Sequence, residues 1–304
     1  MGRAVVKRTA MAVLGAVAWV VAPIVGLLAR REVGREPFIR RGVLPVPLHY
    51  YQPVFDPKTI PDSVWDRRHD LPGLDFREEA QLELLRSFAE HGDETDWPAE
   101  RQGDSYYTGS GAFGASSAYL LHAFVRRFKP GRVVEIGAGH STLIFRGALD
   151  MNGTGSLTTI DPNPDERVTR LPVDELIAEP VEAVPLERLA GLAARDMLFI
   201  DSSHVIRMGG DVQYLYLDVL PRLKPGVLVH IHDIQLPYEY PRSYPPRYFW
   251  TEQYLLQAFL THNPRWEVLL GGFMLQTDHR DVFTEVFPHT AGHRVTSSFY
   301  MRAT

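Results

Sequence analysis

Through the second half of the chain, short apolar β-branched runs alternate with stretches of helical periodicity, and that alternation predicts βαβ units around a parallel sheet. The runs fall at Arg132–Ile136, Leu157–Asp161, Met197–Asp201 and Val227–His232, with a less regular one at Glu175–Val181. Helical spacing covers Ser116–Phe128, Ser141–Met151, Asp211–Leu223 and Thr251–His262. Two more runs, Trp266–Leu270 and Ser297–Arg302, follow the alternating units with one short helix between them, and suit an antiparallel finish. The expected class is α/β with a doubly wound sheet, whose strand carboxyl ends share one edge and form the binding crevice.

Upstream, Pro37, Pro45, Pro47, Pro53, Pro57, Pro61 and Pro72 leave no room for a long regular element in the first half of residues 36–104. This segment reads as a lead-in that wraps the core. It carries one expected helix, Asp75–Gly92, with Asp75 as N-cap and Gly92 as stop. Before it, Ala10–Ala29 is a run of twenty uncharged residues. As a helix it would measure about 30 Å, the thickness of a bilayer's hydrocarbon core. The reading is a membrane anchor, with a cleaved secretory signal or a buried soluble helix as alternatives. Three Lys or Arg precede the run and five follow it, which favours a body in the cytoplasm on the inner membrane. The expected domains are therefore 1–35 anchor, 36–104 lead-in and 105–304 α/β domain.

Composition narrows this picture. At 304 residues, 45% apolar and 23% charged, the chain is neither a mini-scaffold nor disordered. It has no cysteine, so disulfide frameworks, thiolate metal sites and cysteine nucleophiles are excluded. Residues 1–41 hold eight basic and two acidic side chains, while the remainder holds 24 basic and 35 acidic. A basic arm on an acidic body argues against nucleic acid and for lipid as the arm's partner.

The strongest strand runs into Glu135-Ile136-Gly137-Ala138-Gly139-His140-Ser141-Thr142. Gly137 and Gly139 permit a tight turn and close ligand approach, and Ser141 or Thr142 can cap the next helix. A dinucleotide fingerprint would place a third glycine where Thr142 stands, and the Glu135 carboxylate disfavours pyrophosphate. An acid there suits a cation such as S-adenosylmethionine, with its amino group and sulfonium. Asp161, at the next strand end, can accept both ribose hydroxyls. The cofactor-binding set is thus Glu135, Gly137, Gly139, Ser141, Thr142 and Asp161. The competing readings are a nicotinamide-dependent oxidoreductase and a catalytically silent membrane-tethered binding protein.

On the stretches VVEIGAGHST, LTTIDPNP, MLFIDSSHV, LKPGVLVHIHDI, LPYEYPR and FWTEQYLLQAFL, the chain resembles the class I S-adenosylmethionine-dependent methyltransferases over about residues 106–275. It is most similar to bacterial small O-methyltransferases of the catechol and macrocin type, often found with surface-polysaccharide genes. The resemblance implies a Rossmann-like sheet of seven strands with an antiparallel last strand, and a small-molecule, glycan or lipid-linked hydroxyl as acceptor. Where relatives place an acid near the adenine, this chain reads Glu182-Ala183-Val184-Pro185-Leu186.

The ends of the fourth and fifth strands bring Asp201, His204, His232 and Asp233 together as the candidate reaction site. Catechol-type relatives imply a divalent cation on Asp201, His232 and Asp233, with Asp201 and His204 catalytic and His204 as the base. A histidine at 232 replaces a hard oxygen ligand, which disfavours magnesium and leaves manganese, another metal or none open. For His204 the alternative is a brace for its loop. Strand alternation puts His230 on the same side as His232 but deeper, where a satisfied core histidine is expected. Pro237, Tyr238, Tyr240, Pro241, Tyr244, Pro245, Pro246, Tyr248, Phe249 and Trp250 form a rigid aromatic loop, read either as a pocket wall or as simple packing. Tyr106, Tyr107 and Phe113 are expected to reach the site, and Glu252 to pair with Arg247 or the acceptor.

Overall fold

The computed structural model describes residues 2–245 and 247–304, with side chains from Val6 onward. Met1, Pro246 and the Arg3 side chain, each part of an expectation above, lie outside the described residues. Among the described residues seven strands form one sheet: β1 Arg132–Ile136, β2 Ser156–Ile160, β3 Glu175–Ile177, β4 Met197–Ile200, β5 Leu228–Ile231, β6 Trp266–Gly271 and β7 Phe299–Ala303. Their order is β3-β2-β1-β4-β5-β7-β6. The first five are parallel, and β7 runs antiparallel to both neighbours, as the sequence pattern predicts.

Strand register positions the site. Ile136 pairs with Ile160 and with Ile200, and Ile200 pairs with Ile231. The ladder continues one residue further: Gly137 N donates to Ile160 O, Asp201 N to Ile136 O and His232 N to Ile200 O, each at 2.9 Å. Gly137, Asp161, Asp201 and His232 are therefore neighbours along one edge, where the strand order reverses between β1 and β4.

Alternation then divides the core into two layers. Val133, Leu157, Phe199 and Leu228 pack with the helices Ala115–Phe128 and His140–Asn152. Val134, Leu198, Val229 and Ile231 pack on the opposite face with residues of 212–223 and the helix Glu252–Leu260. The expected helix at Asp211–Leu223 is a continuous run with a π turn at Leu215–Val219.

Three expectations change. The third strand stops at Ile177, because Pro180 opens a 3-10 turn at Val181–Ala183. Two short helices, Gly272–Asp278 and Arg280–Val286, replace the single one expected between the last strands. The Asp75–Gly92 helix is only Glu78–Arg86 followed by a 3-10 turn at Ala89–His91. Asp75 Oδ1 accepts from Arg77 N ahead of that helix instead of capping it. Gly92 is not a left-handed stop: its φ is −67°, and a Cβ there would lie 1.9 Å from Val286 O, so close approach demands glycine.

The chain forms two compact units, Met1–Pro61 with Ser243–Phe249, and Asp62–Arg242 with Trp250–Thr304. The second contains the whole sheet. The first contains the helix Gly2–Arg31, whose segment Val6–Arg31 is long and apolar enough to cross a membrane; a signal sequence meets the same criterion.

Candidate active site

Glu135 faces the layer that holds the helix His140–Asn152, and it is fully buried there. Its Oε1 accepts from Ser141 Oγ at 2.7 Å, and its Oε2 from Thr142 Oγ1 at 2.8 Å and Thr159 Oγ1 at 2.9 Å. Burial pushes the Glu135 carboxyl up to about 7, against the pull of these three hydroxyls, and the charge of Asp201 adds to the rise. Gly139 N donates to Thr142 Oγ1 at 3.0 Å, so Thr142 closes the helix start while Ser141 braces the carboxylate. Gly137 has φ +87°, and a Cβ on it would lie 1.9 Å from Asp201 O. Gly139 is extended with open space beside it. Only the first glycine is required by the backbone; the second leaves room.

Gly137, Gly139, Ser141, Asp161 and Asp201 line a cavity of about 390 Å³, together with Phe113 and Arg167. A second cavity of about 370 Å³ shares Gly137, Asp161 and Asp201 and extends to Val181 and Glu182, the stretch compared above with the adenine-side acid. Glu135 and Thr142 lie behind the turn and are not on either wall. Asp161 Oδ2 accepts from Ala138 N at 2.8 Å and Oδ1 from Asn163 N at 2.6 Å, which ties the β2 end to the glycine turn. A larger cavity of about 480 Å³ lies beside Trp266 and Thr304 and is lined by none of these residues.

Asp201, His204 and Asp233 each offer a ligand atom within 4.8 Å of the others. His204 Nε2 is 3.2 Å from Asp201 Oδ1 and 3.6 Å from Asp233 Oδ2. His232 Nδ1 is 3.6 and 3.7 Å from the same two carboxylates, and its Nε2 is 3.3 Å from Ser117 Oγ. All four expected residues therefore meet, with His204 tighter in the group than His232. Ser297 Oγ donates to Asp233 Oδ1, and the Phe113 ring stacks on His232 at 4.5 Å. Both His204 (φ +59°) and Asp233 (φ +58°) hold left-handed backbone, a strain that packing around a functional site can sustain.

Glu252 pairs with His204, a partner not among those expected for it. It is fully buried at the start of its helix, and its Oε2 lies 2.8 Å from His204 Nδ1. Thr251 N and Glu252 N both donate to His204 O, which fastens the His204 loop to that helix. Nothing local links positions 48 residues apart, so no sequence spacing could signal this pair. Burial alone would lower the His204 pKa, but Asp201 and Glu252 together raise it well above the usual histidine value. Burial likewise opposes ionisation of Asp201, yet His232 and His204 hold its pKa far below the usual carboxylate range.

His230 lies in the core as expected, stacked on Tyr300 at 4.0 Å, but it is not satisfied: neither ring nitrogen has a hydrogen-bond partner among the described residues. Burial keeps it neutral by lowering its pKa well below the usual value. Tyr106 is buried and donates to Phe113 O, holding that ring against His232, while the Tyr107 ring is 5.7 Å from His140. In the aromatic loop, Trp250 lies 4.4 Å from His204, and the Tyr240 hydroxyl accepts from Gln253 N.

Residues 134–234 match the profile of a family described as a methyltransferase domain. A protein of Archaeoglobus fulgidus described as uncharacterized is 30% identical over 173 residues, which is 51% of this chain and 73% of that protein. Among solved structures, the O-methyltransferase TomG of Streptomyces achromogenes in complex with S-adenosylmethionine is 19% identical, with 73% of this chain and 89% of that one aligned at a TM-score of 0.41. A methyltransferase of Podospora anserina with bound S-adenosylhomocysteine is 16% identical, with 74% and 88% aligned at a TM-score of 0.40.

Proposed function

The chain belongs to the class I S-adenosylmethionine-dependent methyltransferases, and from that premise we propose that it methylates a hydroxyl oxygen of a small-molecule, glycan or lipid-linked acceptor at the cytoplasmic face of the inner membrane. The observation that carries the reading is the register-fixed edge, which sets Asp161 beside the glycine turn and Asp201 beside His204, His232 and Asp233.

In this reading the donor's methionine end occupies the cavity at Gly137–Ser141, Asp161 takes the ribose hydroxyls, and the adenine enters the cavity at Val181 and Glu182. The acceptor oxygen attacks the methyl carbon in line, the carbon–sulfur bond breaks, and S-adenosylhomocysteine leaves as a neutral thioether. The protein orients both molecules, excludes water and removes the acceptor's proton. The imidazole beside the two carboxylates disfavours magnesium and leaves manganese, another metal or none open. Such a cation, held by Asp201, His232 and Asp233, would lower the acceptor hydroxyl's pKa and would leave His204 free to take the proton. Glu252 fixes the His204 ring with Nδ1 toward the helix and Nε2 toward Asp201 and Asp233. With carboxylates at both nitrogens His204 rests as an imidazolium, so it serves as a base only in the fraction that has lost its Nε2 proton.

The helix Gly2–Arg31 supports the membrane part of the proposal, and the basic flanks support the orientation. Calorimetric titration of the full chain in detergent with S-adenosylmethionine and with NAD is the test of the donor. We expect heat of binding from the first alone; a preference for NAD ends the methyltransferase reading. Transfer of labelled methyl into cell-envelope extracts, with and without EDTA, tests the acceptor and the cation. Activity that survives both EDTA and Asp201→Ala removes the metal from the scheme.

A further inference from the structure

The helix Gly2–Arg31 is followed by a segment with no counterpart in the catalytic scheme. Val33, Ile39, Val43, Leu44, Leu48, Tyr50 and Tyr51 are all exposed, Leu48 at 64% and both tyrosines at 79%. These are large apolar and aromatic side chains clustered within nineteen positions, whereas soluble surfaces scatter such residues singly. The rings of His49, Tyr50 and Tyr51 lie against one another, with His49–Tyr50 and Tyr50–Tyr51 centroids each 4.2 Å apart.

The charge around this patch has one sign in excess. Arg30, Arg31, Arg35, Arg40 and Arg41 face only Glu32 and Glu36 between residues 30 and 51. An exposed pair joins Arg40 to Glu36 at 2.8 Å, the half-buried Arg35 lies 3.6 Å from the exposed Glu32, and Arg41 donates to Pro37 O. Beyond Gly42 the chain carries no charged side chain until Asp56, and Pro45 and Pro47 exclude a helix. A basic stretch followed at once by an uncharged, aromatic and non-helical one matches the layered chemistry of a bilayer surface. Arginines meet phosphates there, and tyrosines sit where headgroups give way to acyl chains.

We propose that residues 33–51 are a second membrane contact, lying in the headgroup layer of an anionic bilayer and continuous with the spanning helix. This inference rests on the membrane reading of that helix. Its partner is the lipid surface; a second copy of the chain on the same patch is the competing occupant.

The test is hydrogen exchange of the full chain in detergent, in phosphatidylcholine nanodiscs and in nanodiscs containing phosphatidylglycerol. Slow exchange at residues 10–29 in every disc reports the spanning helix independently. We expect amides 43–51 to slow by about tenfold in anionic discs relative to detergent, and the combined Arg35→Gln, Arg40→Gln, Arg41→Gln variant to lose most of that protection, since each arginine near such a surface contributes on the order of a fivefold preference. A Leu48→Ser, Tyr50→Ser, Tyr51→Ser variant should exchange at the detergent rate in all discs. Protected 10–29 with unprotected 43–51 overturns the second contact and leaves the anchor standing; unprotected 10–29 overturns the anchor and the inference together. Protection of 43–51 that appears in detergent and rises with protein concentration assigns the patch to a second copy instead.

Discussion

The two halves of the site differ in how their polar groups are satisfied. On the side proposed for the donor, Glu135 is surrounded by three hydroxyls from the following helix and the adjacent strand, and the glycine turn is locked by the β2 and β4 ends. On the side proposed for the acceptor, Asp201, Asp233, Glu252 and two histidines are brought within a few ångströms, and two of these residues hold strained backbone. The donor half is a finished structure whose empty space is shaped by what it lacks, the side chains at Gly137 and Gly139. The acceptor half carries concentrated, mutually dependent charge, which is chemistry held ready for something that arrives. Substitutions in the first should therefore damage binding and stability, and substitutions in the second should damage turnover.

The most severe test of that division is Gly137→Ala. A Cβ at this position meets the Asp201 carbonyl at 1.9 Å on a backbone that already sits at φ +87°, so β1 and β4 would have to separate at their ends. The expected loss is about 3–5 kcal/mol of stability and all detectable S-adenosylmethionine binding. Gly139→Ala, two residues on, meets open space on an extended backbone and should melt within a few degrees of the parent while binding the donor more weakly. Similar outcomes for the two variants, read by thermal denaturation and calorimetry, would show that the turn is not the rigid element described here.

Asp233→Asn comes next. It keeps the shape and leaves a side-chain oxygen for the Ser297 hydroxyl, but removes one of the charges facing His204 and His232. Methyl transfer should fall by about a hundredfold, the scale of a displaced acid–base or charge-stabilising group, with donor affinity changed less than about threefold. A matching drop in donor affinity would merge the two halves into one binding site.

Much of this division was legible in the sequence, for a physical reason. The strands are short β-branched runs bounded by turn residues, and a parallel register then forces Gly137, Asp161, Asp201 and His232 side by side. Glu135, Asp161, Asp201, His232 and Asp233 were found because each lies at or just past the end of a strand. What bridges elements was not legible. Ser117 reaches His232 across 115 positions and Ser297 reaches Asp233 across 64, and neither hydroxyl carries a local pattern that points to its partner. Glu135 was found, but a sequence cannot show that Ser141, Thr142 and Thr159 all turn toward it. Gly92 was read as a helix stop because close packing against Val286 leaves no trace in spacing.

Glu252→Gln probes the coupling inside the acceptor half with a smaller expected effect. The amide keeps the shape of the buried side chain but withdraws the charge at His204 Nδ1. Because that charge helps raise the His204 pKa, its removal lowers it, and the neutral ring becomes populated at lower pH. Transfer should drop about tenfold as the ring loses its fixed orientation, while the rising limb of the rate–pH profile moves toward acid. A rate loss with an unmoved profile would reduce Glu252 to packing.

Thr159→Val is the gentlest of these tests and returns to the donor half. Thr159 is fully buried on β2, and its hydroxyl is the only one of Glu135's three hydroxyl partners contributed from outside the turn and the following helix. Valine preserves the volume and the strand preference, so the change isolates one hydrogen bond to a carboxyl group, about 1–2 kcal/mol. The pH dependence gives the result its sign. Glu135 has a folded pKa raised to about 7, above the ordinary value of 4.5, so the folded state holds the proton more tightly and the group's contribution to stability is lost as pH rises from about 4.5 through 7. At pH 5 the carboxyl is protonated and can make do with two hydroxyls; at pH 8 it is charged, and each donor counts for more. The variant should therefore melt a few degrees low at pH 8 and less so at pH 5, with methyl transfer at saturating donor nearly unchanged. Equal shifts at both values would mean that Glu135 is already ionised at pH 5, and a loss of transfer would mean that the carboxylate reaches the donor after all.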